Sequence, residues 1–192
     1  MPHNAARLLA EATLVTGNPG KLAEARRLCE VEMAAAAIDL PEIQSLDIRE
    51  ILEAKAVEAF HRLERPVVVD ETALDLAALN GFPGVLIKWM LESVGAEGIA
   101  QIAYSLGNRR ANARCALLYF TDTDQVFVSG STSGQLVLPP RGENGFGWDP
   151  IFQPDHQDLT YAELMGSEKD HISHRGKAWR TLKDHLAESD LR

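Results

Sequence analysis

Two adjacent acids, Asp70 and Glu71, follow an apolar run from Pro66 to Val69 and could bind a cation or activate water. The β-branched run predicts a buried strand, and α/β sheets bind ligands at the carboxyl ends of their strands. Mg²⁺ is typically held by one or two carboxylates together with substrate phosphates, and a carboxylate can also accept a proton from water. Glu42 and Glu50 lie upstream, where solvated surface charges remain the alternative.

A glycine-bearing turn from Thr16 to Lys21 could bind a phosphate. Its sequence, Thr-Gly-Asn-Pro-Gly-Lys, lies between a predicted strand over 12–16 and a predicted helix over 21–30. Backbone N–H groups, the positive end of a helix and the lysine would all favour an anion. The spacing is neither that of a Walker loop nor that of the dinucleotide fingerprint. An ordinary strand-to-helix turn with an exposed lysine therefore fits the same residues.

A glycine-rich segment over 142–150 carries Phe146, Trp148 and Asp149. Such a loop can bring aromatic faces close to a planar ring, and the carboxylate can accept hydrogen bonds from the edge of that ring. A glycine-rich turn with two core aromatics is the alternative. The segment is consequently a candidate base-binding site.

Basic residues lie near the predicted start of the last helix, at Lys169 and from Ser173 to Lys177. Their side chains could donate hydrogen bonds to a phosphate or a carbonyl oxygen. Positive charge at a helix N-terminus opposes the helix dipole, which indicates a use beyond stability. A solvated charged turn remains the alternative.

The elements that position these residues predict an α/β fold with a mixed sheet. Strands and helices alternate in the first half, and several strands follow one another later. The predicted helix over 48–63 is amphipathic. The last helix has Ser173 as its N-cap and an inner face of Trp179, Leu182 and Leu186. Strands are predicted over 12–16, 34–40, 66–69, 113–120, 125–129 and 134–138, and helices over 21–30, 48–63, 86–94, 97–106 and 174–187.

The composition fits one compact domain over residues 1–192, since the chain has 45% hydrophobic residues. The formal net charge of −9 argues against wrapping DNA or RNA, because that affinity comes from Lys and Arg. Cys29 and Cys115 form no disulfide framework and indicate buried thiols in a reducing compartment. No targeting segment and no apolar run long enough for a membrane is visible. We therefore expect a cytoplasmic protein.

Nine segments in order resemble the inosine triphosphate pyrophosphatase family, also called the Ham1 family. Together they span most of the chain, roughly residues 12–187. Each motif is modest alone, and their order makes the resemblance specific. The segments are TGNPGKL at 16–22, IDLPEIQ at 38–44, VVVDETAL at 67–74, ALNGFPG at 78–84, IKWML at 87–91, SGQLVLPPRG at 133–142, FGWDPIF at 146–152, TYAEL at 160–164 and ISHRGKA at 172–178.

The resemblance implies a fold, an activity and a set of partners. The implied fold is an elongated α/β molecule with a long, twisted mixed sheet, flanking helices and two lobes around a central cleft. The implied activity is Mg²⁺-dependent hydrolysis of ITP, dITP or XTP to the monophosphate and pyrophosphate, with Mn²⁺ as an alternative metal. The implied assembly is a homodimer that binds a small purine nucleoside triphosphate, and neither nucleic acid nor a membrane.

The resemblance also assigns site residues by position. A triphosphate cradle comprises Thr16, Gly17, Asn18 and Lys21. The metal carboxylates are Glu42 and Glu71, and the acidic pair that handles metal and water is Asp70 with Glu71. Further substrate contacts are Lys55, Thr72 and Lys88. The base pocket comprises Phe146, Gly147, Trp148, Asp149, Lys169, His174 and Arg175. A donor such as Arg175 would donate to the 6-oxo group of a purine and reject the amino group of adenine.

The order Asp70-Glu71 departs from the family, whose acidic pair usually has Asp second. Glutamate extends the carboxylate by about 1.5 Å, and a displacement of about 1 Å can reduce a rate on the order of a hundredfold. The sequence therefore leaves a nucleotide-binding module without turnover as an alternative. A Maf-like pyrophosphatase for other modified nucleotides is a second alternative, against which the FGWD and SHR segments argue. Asp170 and residues 85–86 are lesser departures.

Overall fold

The computed structural model describes residues 2–188, and within them the chain divides into two compact units. The first unit comprises the chain up to Glu71, the segment Cys115–Gly130, and the chain from Arg175 onward. The second comprises Thr72–Arg114 and Ser131–His174. The single domain expected over residues 1–192 stays a prediction.

Six α-helices and seven strands form the described chain, which confirms the mixed α/β class. The strands are β1 (Thr13–Val15), β2 (Ala34–Ala36), β3 (Val67–Leu76), β4 (Pro83–Gly84), β5 (Arg110–Phe120), β6 (Gln125–Leu136) and β7 (Phe152–Pro154). The helices are α1 (Pro2–Glu11), α2 (Pro19–Cys29), α3 (Ile48–Leu63), α4 (Ile87–Ser105), α5 (Gly166–Ile172) and α6 (His174–Glu188).

The strands pair in the order β2-β1-β3-β5-β6-β7, with β4 on β3. Pairing of β1 with β2 and with β3 is parallel. Pairing of β3 with β4 and of β6 with β7 is antiparallel. The sheet is therefore mixed, as the sequence predicts.

The core of the first unit packs α1, α2 and α6 against one side of the strands. Leu9, Ala25, Val68 and Trp179 are fully or almost fully buried in one cluster. The predicted inner face of α6 is confirmed, since Leu182 and Leu186 are also buried there. Helix α3 buries a stripe of its own, which contains Leu52, Ala56 and Ala59. Apolar spacing along the helices thus explains how they lie on the sheet.

The core of the second unit centres on large aromatic and aliphatic side chains. Phe152 and Tyr161 are fully buried and share a cluster with Ile99 of α4. Helix α4 is interrupted at Gly95, where φ is 70° and ψ is 170°. Only glycine adopts that backbone readily. The two helices predicted over 86–94 and 97–106 are therefore the two halves of α4, on either side of the kink at Gly95.

Several predicted elements need correction. Strand β3 does not end at Val69, because it continues through Asp70 and Glu71 to Leu76. Strand β2 stops at Ala36, and β6 runs unbroken where the sequence predicts two strands. Helices α1 and α5 and strands β4 and β7 were not predicted from the sequence. In the part of the chain that is described, no helix is both long and apolar enough to cross a bilayer.

Candidate active site

The turn before α2 is built by Asn18, which caps the helix. Its side-chain oxygen accepts hydrogen bonds from the backbone N–H groups of Gly20 at 2.8 Å and Lys21 at 3.2 Å. The hydroxyl of Thr16 in turn accepts from the N–H of Asn18 at 3.1 Å. Pro19 occupies the first turn of the helix, where its missing N–H costs nothing. The predicted phosphate turn therefore is an ordered helix N-terminus, with two of its donors held by Asn18.

Asp70 is the buried end of an ion pair with Lys21. The Lys21 ammonium donates to Oδ1 of Asp70 at 3.0 Å, and the aspartate is 3% exposed. The guanidinium of Arg175 lies 3.5 Å from Oδ2. Burial alone would raise the pKa of Asp70, but the charges of Lys21 and Arg175 outweigh burial and lower it. Asp70 is consequently ionised at neutral pH.

Arg175 is a buried cation held by two acids. Its Nη1 donates to Oε2 of Glu24 at 2.8 Å, and its side chain is 3% exposed. Burial would lower the pKa of Arg175, whereas the carboxylates of Asp70 and Glu24 raise it, so the guanidinium stays charged. The solvated-turn interpretation is therefore wrong for this residue. Glu24 was not predicted as a site residue, because it lies 151 positions away from Arg175 in the chain.

Lys55 lies between the two carboxylates that the resemblance assigns to the metal. Its ammonium is 3.1 Å from Oε2 of Glu71 and 3.4 Å from Oε1 of Glu42. Burial would lower the pKa of Lys55, but the charge of Glu71, followed by that of Glu42, raises it. Both carboxylates thus converge on one positive charge, which is the donor chemistry that Mg²⁺ prefers. Within residues 2–188 no group of three or more acids, histidines or cysteines could hold a metal alone.

Thr72 and Lys88 lie in the second unit. Thr72 is half-buried and follows Glu71 directly in β3. Lys88 is exposed in the first turn of α4, and its ammonium lies 5.2 Å from the centroid of the Trp89 ring. Their assignment as substrate contacts stays a prediction.

A buried ion pair organises the glycine-rich loop of the second unit. The ammonium of Lys169 donates to Oδ2 of Asp149 at 2.7 Å, and both side chains are 5% exposed. The same oxygen accepts the backbone N–H of Phe146 at 2.8 Å. The lysine also lies 5.0 Å from the centroid of the Phe146 ring, a cation–π distance. Gly145 has a φ of 76°, and a Cβ there would collide with Oδ2 of Asp149.

His174 is buried against two aromatic rings of the second unit. Its ring centroid lies 5.4 Å from that of Trp148 and 5.7 Å from that of Tyr161. Gly147, with a φ of 65°, precedes Trp148 and permits the turn that directs the indole inward. The alternative interpretation of this loop, a turn with two core aromatics, is correct for Trp148, which is buried, whereas Phe146 is half-buried. Tyr161 was not predicted as a member of this group.

The structure thus brings the predicted residues together in two groups. In the first unit, Lys21 and Arg175 contact Asp70, and Lys55, whose charge also acts on Asp70, contacts Glu71 and Glu42. In the second, the aromatic and charged group contains Phe146, Trp148, Asp149, Lys169 and His174. The first group suits phosphate and cation chemistry, and the second suits a planar ring.

Comparison with known proteins identifies the family. The family model described as "Ham1 family" matches residues 12–185. "Inosine triphosphate pyrophosphatase 2" of Trypanosoma cruzi is 42% identical over 180 residues, which is 92% of each chain. "dITP/XTP pyrophosphatase" of Thermococcus kodakarensis is 37% identical over 91% of this chain and 96% of its own length. A solved HAM1 protein from Coxiella burnetii matches 93% of this chain and 100% of its own with a TM-score of 0.79 at 30% identity. The resemblance inferred from the sequence is confirmed, and the chain belongs to the Ham1 family.

Proposed function

We propose that this protein hydrolyses ITP, dITP or XTP to the nucleoside monophosphate and pyrophosphate. One observation carries the proposal: two consecutive acids of β3, Asp70 and Glu71, each contact a lysine from a different helix. Such a network can bind an anionic phosphate chain and activate water. The names of the relatives described above support the choice of a purine nucleoside triphosphate as substrate.

Glu71 is the residue to which we assign proton transfer. Its side chain is 19% exposed, whereas Asp70 is 3% exposed, so water reaches Glu71 more readily. In the proposed reaction, a water oxygen attacks the α-phosphorus, and the bond from that phosphorus to the bridging oxygen breaks. The proton of the water passes to the Glu71 carboxylate, and pyrophosphate leaves.

Asp70 serves a different purpose in this proposal. Its lowered pKa makes it a poor proton acceptor at neutral pH. Its two oxygens face Lys21 and Arg175, and it fixes the directions of both cations. Lys21 and Lys55 would offer their ammonium groups to phosphate oxygens, which stabilises charge on the leaving pyrophosphate.

A divalent cation is part of the proposal, and Glu42 and Glu71 are the residues that would hold it. Magnesium, when bound, would neutralise phosphate charge, and Mn²⁺ would serve in its place. Both carboxylates already surround one positive charge, that of Lys55, so their donor set fits such an ion. The remaining ligands would be water and substrate phosphates.

For base recognition, we assign Phe146, Gly147, Trp148, Asp149, Lys169 and His174 of the second unit; Arg175, which the resemblance adds, lies in the first. Support comes from the buried Asp149–Lys169 pair, which offers a carboxylate and an ammonium beside an aromatic face. Hydrogen-bonded sites of this kind discriminate well, because a mismatched base leaves buried polar groups unpaired.

A homodimer and a cytoplasmic location also belong to the proposal. Large apolar side chains on the second unit support an interface, since Phe82 is 50% and Trp89 is 58% exposed. Light scattering on the purified protein measures the assembly directly. A monomer at all concentrations would remove this part of the proposal and leave the reaction untouched.

The test of the function is pyrophosphate release from ITP, dITP, XTP, ATP and GTP with Mg²⁺ at mildly alkaline pH. We expect fast release from the first three and little from ATP and GTP. The same assay without divalent cation, in the presence of a chelator, measures the metal requirement. If ITP binds but none of the five is hydrolysed, the protein is a nucleotide-binding module and the proposal fails.

A further inference from the structure

The contact between Lys55, Glu42 and Glu71 has a consequence for how a metal ion would enter the site. The inference rests on the proposed function, because it takes these two glutamates as metal ligands. The Lys55 ammonium lies 3.1 Å from Glu71 and 3.4 Å from Glu42, so it occupies the position between the carboxylates. A positive charge of the chain itself is thus already bound where a divalent cation would be attracted.

A metal ion held by Glu42 and Glu71 would compete with the ammonium group for the same two carboxylates. Mg²⁺ binds its oxygen ligands at about 2.0–2.1 Å, which is far closer than the ammonium lies. A metal ion held by both carboxylates would therefore lie in or next to the space that the ammonium fills. Repulsion between two cations at such a distance opposes joint occupancy. Metal binding should consequently weaken or break the Lys55 contacts.

We propose that Lys55 is a placeholder cation that holds Glu42 and Glu71 together, and that an entering metal ion displaces its ammonium from both carboxylates.

The three residues differ in how easily they can move. Glu71 belongs to β3, whose backbone is fixed by the sheet. Glu42 lies in the irregular segment between β2 and α3, and its side chain is 44% exposed. Lys55 has a flexible stem of four carbons on α3, so its ammonium can swing while the helix stays in place. The exchange therefore needs only side-chain rotation and a small shift of the Glu42 segment.

Displacement would couple the metal to the phosphates. The released ammonium becomes available to phosphate oxygens, whereas in the metal-free protein Glu71 and Glu42 hold it. Metal and nucleotide should then each raise the affinity for the other by the same factor, because coupling between two binding equilibria is reciprocal.

The test measures Mn²⁺ affinity of the nucleotide-free protein by the electron paramagnetic resonance signal of free Mn²⁺. Lys55→Met removes the placeholder while keeping a similar length, and we expect about tenfold tighter Mn²⁺ binding than in the wild type. Lys55→Arg keeps the charge and can form a bidentate contact, so its Mn²⁺ affinity should equal or fall below that of the wild type. Circular dichroism confirms that each variant is folded.

Lys21→Met is the matched control, because it removes an ammonium from Asp70 and leaves Glu42 and Glu71 untouched. We expect at most about a twofold change in Mn²⁺ affinity for this variant, since the Lys21 ammonium contacts Asp70 rather than Glu42 or Glu71 and its charge lies farther from the two glutamates. An equal gain in Lys21→Met and Lys55→Met would overturn the placeholder role, because loss of charge alone would then explain both. Lys55→Arg with tighter binding than the wild type would overturn it as well.

The outcomes also separate this inference from the proposed function. If wild type binds Mn²⁺, with or without a non-hydrolysable ITP analogue, but Lys55→Met binds it no more tightly, only the placeholder role is refuted. If wild type binds no Mn²⁺ under either condition, the metal requirement of the proposed function fails, and the placeholder role fails with it.

Discussion

The buried ion pair Lys169–Asp149 and the exposed ion pair Arg110–Asp155 have nearly equal N–O distances, yet we expect their loss to change the stability of the protein by very different amounts. The first has an ammonium 2.7 Å from a carboxylate oxygen, with both side chains 5% exposed. The second has two contacts, at 2.6 and 2.8 Å, with side chains 53% and 36% exposed. Both pairs lie in the second unit, so they test the effect of burial within one structural context.

Lys169→Met should lower the free energy of unfolding by about 3–5 kcal/mol, because it leaves the Asp149 carboxylate buried without its cation. Arg110→Met should lower it by at most about 1 kcal/mol, because water replaces the lost contacts. For a chain of this length, each kcal/mol corresponds to about 2–4 °C in Tm. We therefore expect a loss of at least about 6 °C for the first variant and at most about 4 °C for the second.

Thermal and urea unfolding followed by circular dichroism measure both variants. A double variant, Lys169→Met with Asp149→Asn, serves as the control for the charge itself. Asparagine still accepts the N–H of Phe146 but carries no charge, so the double variant should recover part of the lost stability. Equal small shifts in Lys169→Met and Arg110→Met would refute the reasoning, because burial would then have no effect on the pair.

Four further changes have defined outcomes. Glu71→Gln should reduce kcat for ITP at least about a hundredfold while nucleotide binding persists; rates like those of the wild type would remove its assigned role. Arg175→Ala should reduce the discrimination between ITP and ATP, measured as the ratio of their kcat/KM values, by the equivalent of about 1–3 kcal/mol. An unchanged ratio would contradict the assignment of Arg175 to base recognition. Gly145→Ala should cost more than about 1 kcal/mol in urea unfolding, because φ is 76° and its Cβ would meet Asp149; a neutral effect would contradict the tightness of this turn. In the folded protein, the pKa of Asp70 lies below its ordinary value of 3.8, so the carboxylate stabilises the fold fully above pH 3.8 and less and less as the pH falls below that value. The free energy of unfolding should therefore decrease less with falling pH in Asp70→Asn than in the wild type. Equal pH dependence of the free energy of unfolding in the two proteins would exclude this effect.

Helices were predictable where local sequence decides the backbone. Helix α3 spans Ile48–Leu63, the predicted range, because its apolar residues recur with helical spacing and Asp47 caps its first turn at 2.8 Å. The turn before α2 was predictable for the same reason, since Asn18 and Pro19 favour a helix start by their own chemistry. Signals of this kind lie within a few residues of the element that they specify.

The extent of β3 was not predictable, because it depends on distant charges. Polar residues after Val69 predict the end of a buried strand, yet β3 continues through Asp70 and Glu71. Their lysine partners lie 49 and 16 positions away in the chain. Only the folded chain brings those charges together, and only then is a carboxylate tolerated in a buried strand. The two acids nevertheless follow the parallel part of the strand directly, since Val69 is the last residue of β3 that pairs with β1.

The burial of charged residues in the last third of the chain was also not predictable, because it too depends on distant partners. The sequence around Lys169 and Arg175 is equally compatible with a solvated turn, because nothing local distinguishes the two environments. The cations are buried because Asp149 and Glu24 compensate them, from 20 and 151 positions away. The candidate residues could thus be named from their types, whereas their environments required the tertiary structure.

Strand geometry separates the two acids whose order departs from the family. Successive side chains of a strand point to opposite faces. Asp70 therefore shares a face with Val68, which packs with α2 and α6, and its contacts to Lys21 and Arg175 lie on those helices. Glu71 points the other way and contacts Lys55 of α3. In the proposed reaction, the aspartate thus cannot replace the glutamate as proton acceptor without a change in the strand. The longer side chain of Glu71 instead extends toward Lys55, which is where we place the metal and the attacking water.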